Sequence, residues 1–197
     1  MAADDCLECR SWPAELTAAR YAYVLAPPAS DLVHALKYEG WRELAPLMSR
    51  AMARVVPRGT EARGSSNRPA ERIGVVPVPT TERRLRERGY NQAELLAEGV
   101  GRALGRPCLP ALRRERATVS QTTLAPSERR ENVRGTFSLS SSASRLVPDA
   151  DVLLVDDVLT TGATAGEAAV TLTRAGAASV TLVTFARALP RVAARAA

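Results

Sequence analysis

Two adjacent carboxylates, Asp156 and Asp157, follow the apolar run Val152, Leu153, Leu154 and Val155 and precede the small, hydroxyl-bearing run Thr160, Thr161, Gly162, Ala163 and Thr164. Neighbouring acids repel each other and need hydrogen-bond donors or a cation beside them. A pair of sugar hydroxyls supplies two donors at matching spacing. Mg²⁺ suits the pair as well, since it prefers a few carboxylates together with phosphate oxygens and waters. The run after the acids lets the backbone approach a ligand closely. It also sets hydroxyls and N–H groups at the start of a helix, where an anion is favoured. A ribose 5-phosphate satisfies both halves. A plain strand-to-helix connection also uses Asp and Thr as caps, which explains one such residue but not the whole string.

Arginine carries nearly all of the positive charge. The formal net charge is +6, Lys37 is the only lysine, and arginines cluster at 83–88 and 113–116. Guanidinium forks match phosphate, diphosphate or nucleic acid, and they equally make a solvated surface. Aromatic residues are 4% of the chain. No stacking platform for single-stranded nucleic acid is therefore visible, while a groove tracking a phosphate backbone is compatible with the charge. Three cysteines, Cys6, Cys9 and Cys108, are too few and odd in number for a disulfide framework. Cys6 and Cys9 form one Cys-x-x-Cys, two thiolates short of a tetrahedral zinc site, so zinc is not expected. Cys108 reads as a buried hydrophobe. His34, the single histidine, is expected to pack or cap within its helix. An apolar fraction of 46% is that of a globule. The sequence contains no long apolar run and no leader pattern, so the expectation is a soluble, cytoplasmic protein without a membrane span.

The elements that must position these residues follow from pattern. The stretch 21–25 alternates and reads as an edge strand. Ser30 is placed to cap a short helix ending at Gly40, and 41–56 has helical spacing with Pro46 near its first turn. The polar stretch 57–72 reads as a flexible loop. Residues 73–79 form a short buried strand ending in prolines, followed by the arginine cluster. A helix spans 93–105 with Gly105 as its stop. The long polar stretch 109–139 has weak periodicity and reads as a mobile arm. A strand at 151–157, a helix at 164–175 closed by Gly176, and a strand at 179–187 complete the chain. Strands alternating with helices predict an α/β fold with a parallel sheet, and ligands of such folds sit beyond the carboxyl ends of the strands.

A strand ending in two acids also occurs in receiver domains, which need a later Asp and a later Lys at strand ends. Neither residue type occurs after Asp157, and that reading is set aside. The string VLLVDDVLTTGAT resembles instead the phosphoribosyl pyrophosphate (PRPP) signature of type I phosphoribosyltransferases: an apolar strand, two acids and a Thr/Gly-rich phosphate loop. More narrowly, the chain resembles the competence-associated ComF family. Four blocks carry the resemblance: HALKYEG (34–40), PVPTTERRLRERGYNQAELLA (77–97), RRERATVSQTTLAPSERRENVRGTF (113–137) and VLLVDDVLTTGATAGEAAVTLTRAGAASVTLVTFAR (152–187).

This resemblance implies a type I phosphoribosyltransferase fold, a central mostly parallel sheet flanked by helices with a small N-terminal hood. Residues 1–29 would be an N-terminal segment with the remnant of a zinc ribbon. Residues 30–197 would be the phosphoribosyltransferase domain, with its flexible loop at 57–72 and mobile arm at 113–135. Asp156 and Asp157 would hold the ribose hydroxyls, with Mg²⁺ nearby mainly through ligand and water. Thr160, Thr161, Gly162, Ala163 and Thr164 would cradle the 5′-phosphate. Pro77, Val78 and Pro79 would face the pyrophosphate together with Arg84, Arg88, Asn91 and Gln92. Arg114, Arg116, Gln121, Arg129 and Asn132 would belong to the arm that closes over it. The implied activity is transfer of a 5-phosphoribosyl group with release of pyrophosphate, linked to DNA uptake; the motif requires no dedicated general base. The alternatives are a non-catalytic adaptor that binds PRPP and single-stranded DNA, with a competence helicase as partner, and a nucleotide-sensing regulator. An oligomer is compatible with each.

Overall fold

A computed structural model describes residues 13–57, 73–115, 135–141 and 143–189. Strands β1 (Ala18–Val24), β2 (Ile73–Pro77), β5 (Asp151–Leu159) and β6 (Ser179–Arg187) form one sheet in the order β1-β6-β5-β2, parallel throughout. Residues around Cys108 run along the outer edge of β2: Val75 N–H donates to Pro107 O at 2.9 Å and Leu109 N–H to Val75 O at 2.8 Å. The edge strand expected at 21–25 is β1, which starts three residues earlier and joins the main sheet.

Both faces of the sheet are covered, which is why its strands read as continuous apolar runs. On one face Val76, Val152, Leu154, Val180 and Leu182 pack with Ala168, Ala169 and Leu172 of helix α5 (Ala163–Arg174). On the other, Val75, Leu153, Val155, Val183 and Phe185 pack with helices α1 (Ala29–His34), α2 (Ala45–Arg54) and α4 (Gln92–Leu104). Helices α2 and α4 touch at Gly99, where the Ser49 hydroxyl donates to Ala45 O at 2.6 Å and Leu96 O at 3.2 Å. A Cβ at position 99 would overlap the Ser49 hydroxyl and lie 2.5 Å from Ser49 Cβ. Gly99→Ala is expected to cost about 1–3 kcal/mol through overpacking, read as a lower urea midpoint at unchanged slope; an unchanged midpoint would show that the two helices can part.

Several expectations are corrected. Ser30 does not cap α1: the N-cap is Pro28, and Ser30 Oγ donates to Asp31 at 3.2 Å. After His34 the chain widens into a π-helical turn, Ala35–Glu39, before the left-handed Gly40 (φ 77°). The helix expected over 41–56 is a 3₁₀ turn, Arg42–Leu44, followed by α2, with Pro46 in the first turn, where its missing N–H costs nothing. The arginine cluster is itself a helix, α3 (Glu82–Arg88), capped by Thr81, whose side chain accepts from Arg84 N–H at 3.2 Å, and closed by left-handed Gly89. The long polar stretch begins and ends in a ribbon, β3 (Leu112–Arg114) antiparallel to β4 (Phe137–Leu139). The loop expected at 57–72 and the arm between the two ribbon strands lie almost wholly outside the described residues. His34 is exposed and does not pack inward; its Nδ1 lies 3.1 Å from Glu39 Oε1. Cys108 is half-buried against the second core cluster, and burial pushes its thiol up to about 11. Among the described residues, no helix is long and apolar enough to cross a membrane.

Candidate functional site

β5 carries the acid pair. It runs two residues further than expected, to Leu159, because β6 keeps pairing with it through Arg187. Its other neighbour stops earlier: β2 ends at Pro77, opposite Val155, and Val78 N–H makes a last bond to Val155 O at 2.9 Å. Asp156 and Asp157 therefore stand on a strand edge that β2 leaves open. Successive strand residues face opposite sides, and the two acids are held differently. Asp156 lines an open cleft together with Thr160, Gly162, Ala163 and Thr164. Asp157 is buried and ion-paired with Lys37, Nζ to Oδ1 at 2.7 Å.

The consequence is one anion with a cation of its own and one without. Burial first, then the Asp157 charge, pushes the Asp156 carboxyl up to about 7; Lys37, the Asp157 N–H bonded to Asp156 Oδ1 at 2.8 Å, and Arg114 hold it down. A ligand that donates hydrogen bonds to Asp156 relieves this strain, because donors stabilise the charged form.

Lys37 is positioned by the π-helical turn. Leu36 is fully buried, and its carbonyl accepts a hydrogen bond from the Tyr90 hydroxyl, itself in the core. The carbonyl of Ala35 accepts from Gly40 and Trp41, which closes the turn. π-turns of this kind recur at functional sites. Sequence reading left Lys37 and Tyr90 without a role although both lie in the family blocks. The signal available was that the one lysine in an arginine-rich chain sits in an apolar helical stretch.

The loop after the acids ends on Gly162, left-handed at φ 77° and the N-cap of α5. Only glycine takes this conformation without cost. Thr161 Oγ1 accepts from Ala163 N–H at 3.5 Å, and Gly166 N–H closes the first turn on Gly162 O at 2.7 Å. A twelve-residue helix thus starts at the cleft, with an N-terminus that favours an anion.

The remaining expected residues are placed as follows. Pro77 and Val78 are buried and Pro79 is half-buried beside the end of β5. Asn91 caps α4, accepting from Ala93 N–H at 3.2 Å, while its amide donates to Val78 O at 3.1 Å. It therefore ties the proline loop to the helix that follows. Gln92 is buried in the first turn of α4, and its Nε2 has no partner within the described protein. Arg83 and Arg86 pair with Glu87 and Glu82 at 3.1 and 3.5 Å. Arg84 and Arg88 lie one turn apart on another face. The Arg88 guanidinium stands 4.9 Å from the Tyr38 ring centroid. Arg114, on β3, has its guanidinium 5.4 Å from the Phe137 ring. Burial and the Arg84 charge push Arg114 down, and Asp156 opposes them, so Arg84, Arg114 and Asp156 share one electrostatic neighbourhood. The ribbon carrying Arg114 is tied to α5 by Gly135 N–H donating to Glu167 Oε1 at 2.6 Å. Arg116, Gln121, Arg129, Asn132, Cys6 and Cys9 lie outside the described residues. Among the described residues, no group of three or more His, Cys, Asp or Glu could hold a metal ion.

The phosphoribosyl transferase domain model matches residues 93–195, which include the acid pair, the loop and α5. The chain is 35% identical to the DNA utilization protein YhgH of Escherichia coli K12 over 181 residues, covering 90% of this chain and 74% of that protein. It is 38% identical to competence protein F of Haemophilus influenzae over 115 residues, 58% of this chain and 50% of that one. It is 32% identical to competence protein ComFC of Bacillus subtilis over 120 residues, 60% and 46%. A parallel sheet with helices on both faces, an acid pair at its open edge and a helix starting beside it accord with the matched domain. The chain belongs to the phosphoribosyltransferase-domain family and, within it, to the ComF group, with a type I phosphoribosyltransferase fold.

Proposed function

We propose that this chain binds PRPP with Mg²⁺ and transfers its 5-phosphoribosyl group to a nucleophile. The observation that carries the reading is the cleft itself: Asp156 and the loop residues Thr160, Gly162, Ala163 and Thr164 line it together. A ribose diol against the acids and a 5′-phosphate at the start of α5 use both features. The chemistry is displacement at C1: the nucleophile bonds to C1 as the C1–O bond to pyrophosphate breaks, and the pyrophosphate leaves with the electron pair. The protein's part is positioning and neutralisation of the departing charge. Arg114 supplies a cation within electrostatic reach of Asp156, and Arg84 lies within reach of Arg114.

The donor set fits a cation carried by the ligand. Two carboxylates are present, one already paired with an ammonium, so Mg²⁺ would reach them through diphosphate oxygens and waters, as it commonly does. When bound it would neutralise charge on the leaving pyrophosphate. Pyrophosphate release from PRPP, screened across purine, pyrimidine and amine acceptors, tests the reaction. Release with at least one acceptor supports transfer, and binding without release under all of them leaves only the donor site.

A second reading is supported by the names of the relatives, a DNA utilization protein and two competence proteins. In it, the exposed arginine helix α3 contacts single-stranded DNA during DNA uptake in the cytoplasm, alongside a helicase. Salt-dependent binding of an oligonucleotide that disappears in Arg83→Ala/Arg84→Ala/Arg86→Ala/Arg88→Ala supports it; binding unaffected by the four changes assigns the contact elsewhere.

A further inference from the structure

Lys37 is an unusual residue to find where it is. A largely buried ion pair is seldom more stable than apolar residues of the same volume, because both charges must be taken out of water. Here the side chains of Lys37 and Asp157 are 21% and 10% exposed. A turn of π-helix, a buried Leu36 and the hydroxyl of Tyr90 all hold the lysine in position. The pair is also at the open edge of β5, one residue from the cleft wall. It is buried enough to make its hydrogen bonds strong and is not sealed off.

The chemistry of the pair narrows what it can bind. A carboxylate only accepts hydrogen bonds and an ammonium only donates them. Asp157 takes one of the three N–H groups of Lys37, leaving donors on the lysine beside acceptor positions on the aspartate. A group that completes both must donate and accept through one small atom. A sugar hydroxyl does this, as does the water it would displace; a phosphate oxygen, a carbonyl or a C–H does not. Asp156, on the other face, has a backbone N–H as its donor instead.

We propose, on the reading of this site as the donor-sugar site, that Lys37 and Asp157 act together as a hydroxyl reader. One ribose hydroxyl donates to the Asp157 carboxylate and accepts from the Lys37 ammonium. Lys37 is thereby a specificity-determining residue that separates ribose 5-phosphates from their deoxy counterparts. Sites built to hydrogen-bond a substrate hydroxyl reject the analogue that lacks it, because desolvated polar groups are left incomplete.

The test is competition of ribose 5-phosphate, 2-deoxyribose 5-phosphate and 3-deoxyribose 5-phosphate against PRPP in the presence of Mg²⁺. In the wild type, at least one deoxy sugar is expected to bind tenfold or more weaker than ribose 5-phosphate. In Lys37→Met that ratio is expected to fall to within about threefold. Lys37→Arg keeps a cation beside Asp157, and so the fold, but replaces a compact ammonium with a planar fork. It is expected to lower the ratio at least threefold and provides the readout if Lys37→Met does not fold. Because the readout is a ratio within one variant, a general loss of stability does not move it. A folded Lys37 variant that keeps the wild-type ratio overturns the role of Lys37 alone. A wild type that binds PRPP but ignores both missing hydroxyls overturns the hydroxyl reader. Failure of the wild type to bind PRPP or any of the three sugars overturns the donor-site reading, and this inference with it.

Discussion

Wild-type protein mixed with PRPP and Mg²⁺ at about a hundred times the dissociation constant is expected to melt about 5–10 °C higher, and Asp156→Ala/Asp157→Ala to lose the whole shift. A ligand that binds only the folded state at that excess adds about 2.7 kcal/mol, and a chain of this size gains about 2–4 °C per kcal/mol. Asp156 has a further reason to respond. Its carboxyl is pushed up to about 7 by burial and by Asp157. Hydroxyl donors from a bound sugar favour the ionised form and recover part of that penalty. Thermal scans with PRPP and Mg²⁺, Mg²⁺ alone and pyrophosphate alone measure the effect. An unchanged melting temperature in the wild type would remove the donor-site assignment. Asp156→Asn should lose most of the shift by itself, since an amide cannot replace an anionic acceptor for the diol.

The two neighbouring acids are expected to behave in opposite ways when no ligand is present. Asp157→Ala leaves the Lys37 ammonium largely buried without its anion, which is expected to cost about 3–5 kcal/mol of stability. Asp156→Asn removes an anion that the fold disfavours and is expected to stabilise the protein above pH 7. The direction follows from linkage. The folded-state value of about 7 lies above the ordinary 3.8. The folded chain therefore holds this proton more tightly than the unfolded chain. The Asp156 contribution is at its worst above pH 7 and improves as pH falls from about 7 toward 4. Urea unfolding at pH 5 and pH 8 checks both statements. Wild type should gain stability relative to Asp156→Asn between pH 8 and pH 5, and Asp157→Ala should be the weakest of the three at either pH. Equal destabilisation by the two substitutions would mean that the acids share one environment after all. A residue held at some expense to the apoprotein, in a site that a ligand then relieves, is the trade between stability and function found at many binding sites.

Local signals set the bounds of several elements. The strand 179–187 has the observed bounds, and the helices ending at Gly105 and before Gly176 begin and end within a residue of expectation. Apolar period, caps and left-handed glycines act over a few residues, so they are written in the sequence itself. What was missed depended on distant partners. Every residue of α3 is at least partly exposed and the helix has no apolar face, so no period in the sequence marks the arginine cluster as a helix. The ribbon at the base of the arm pairs Leu112 with Leu139 across the whole polar stretch, and no local pattern announces such a pairing. The split of 41–56 into a 3₁₀ turn and a helix follows Pro46, whose position in the first turn was legible though its effect on the preceding turn was not.

Composition and spacing are local properties of a chain, and they carry the family, the parallel α/β class, and the string of acids, hydroxyls and glycine that the site is made of. The tertiary structure alone decided how that string is divided. Strand alternation sends Asp156 and Asp157 to opposite faces, and the early end of β2 opens their edge. The burial of Leu36 and the Tyr90 hydroxyl bring a distant lysine within 2.7 Å of one acid and not the other. Two carboxylates that look equivalent in the sequence become an anion paired with an ammonium and an acid that burial pushes up to about 7, because charge and burial act through space and not along the chain.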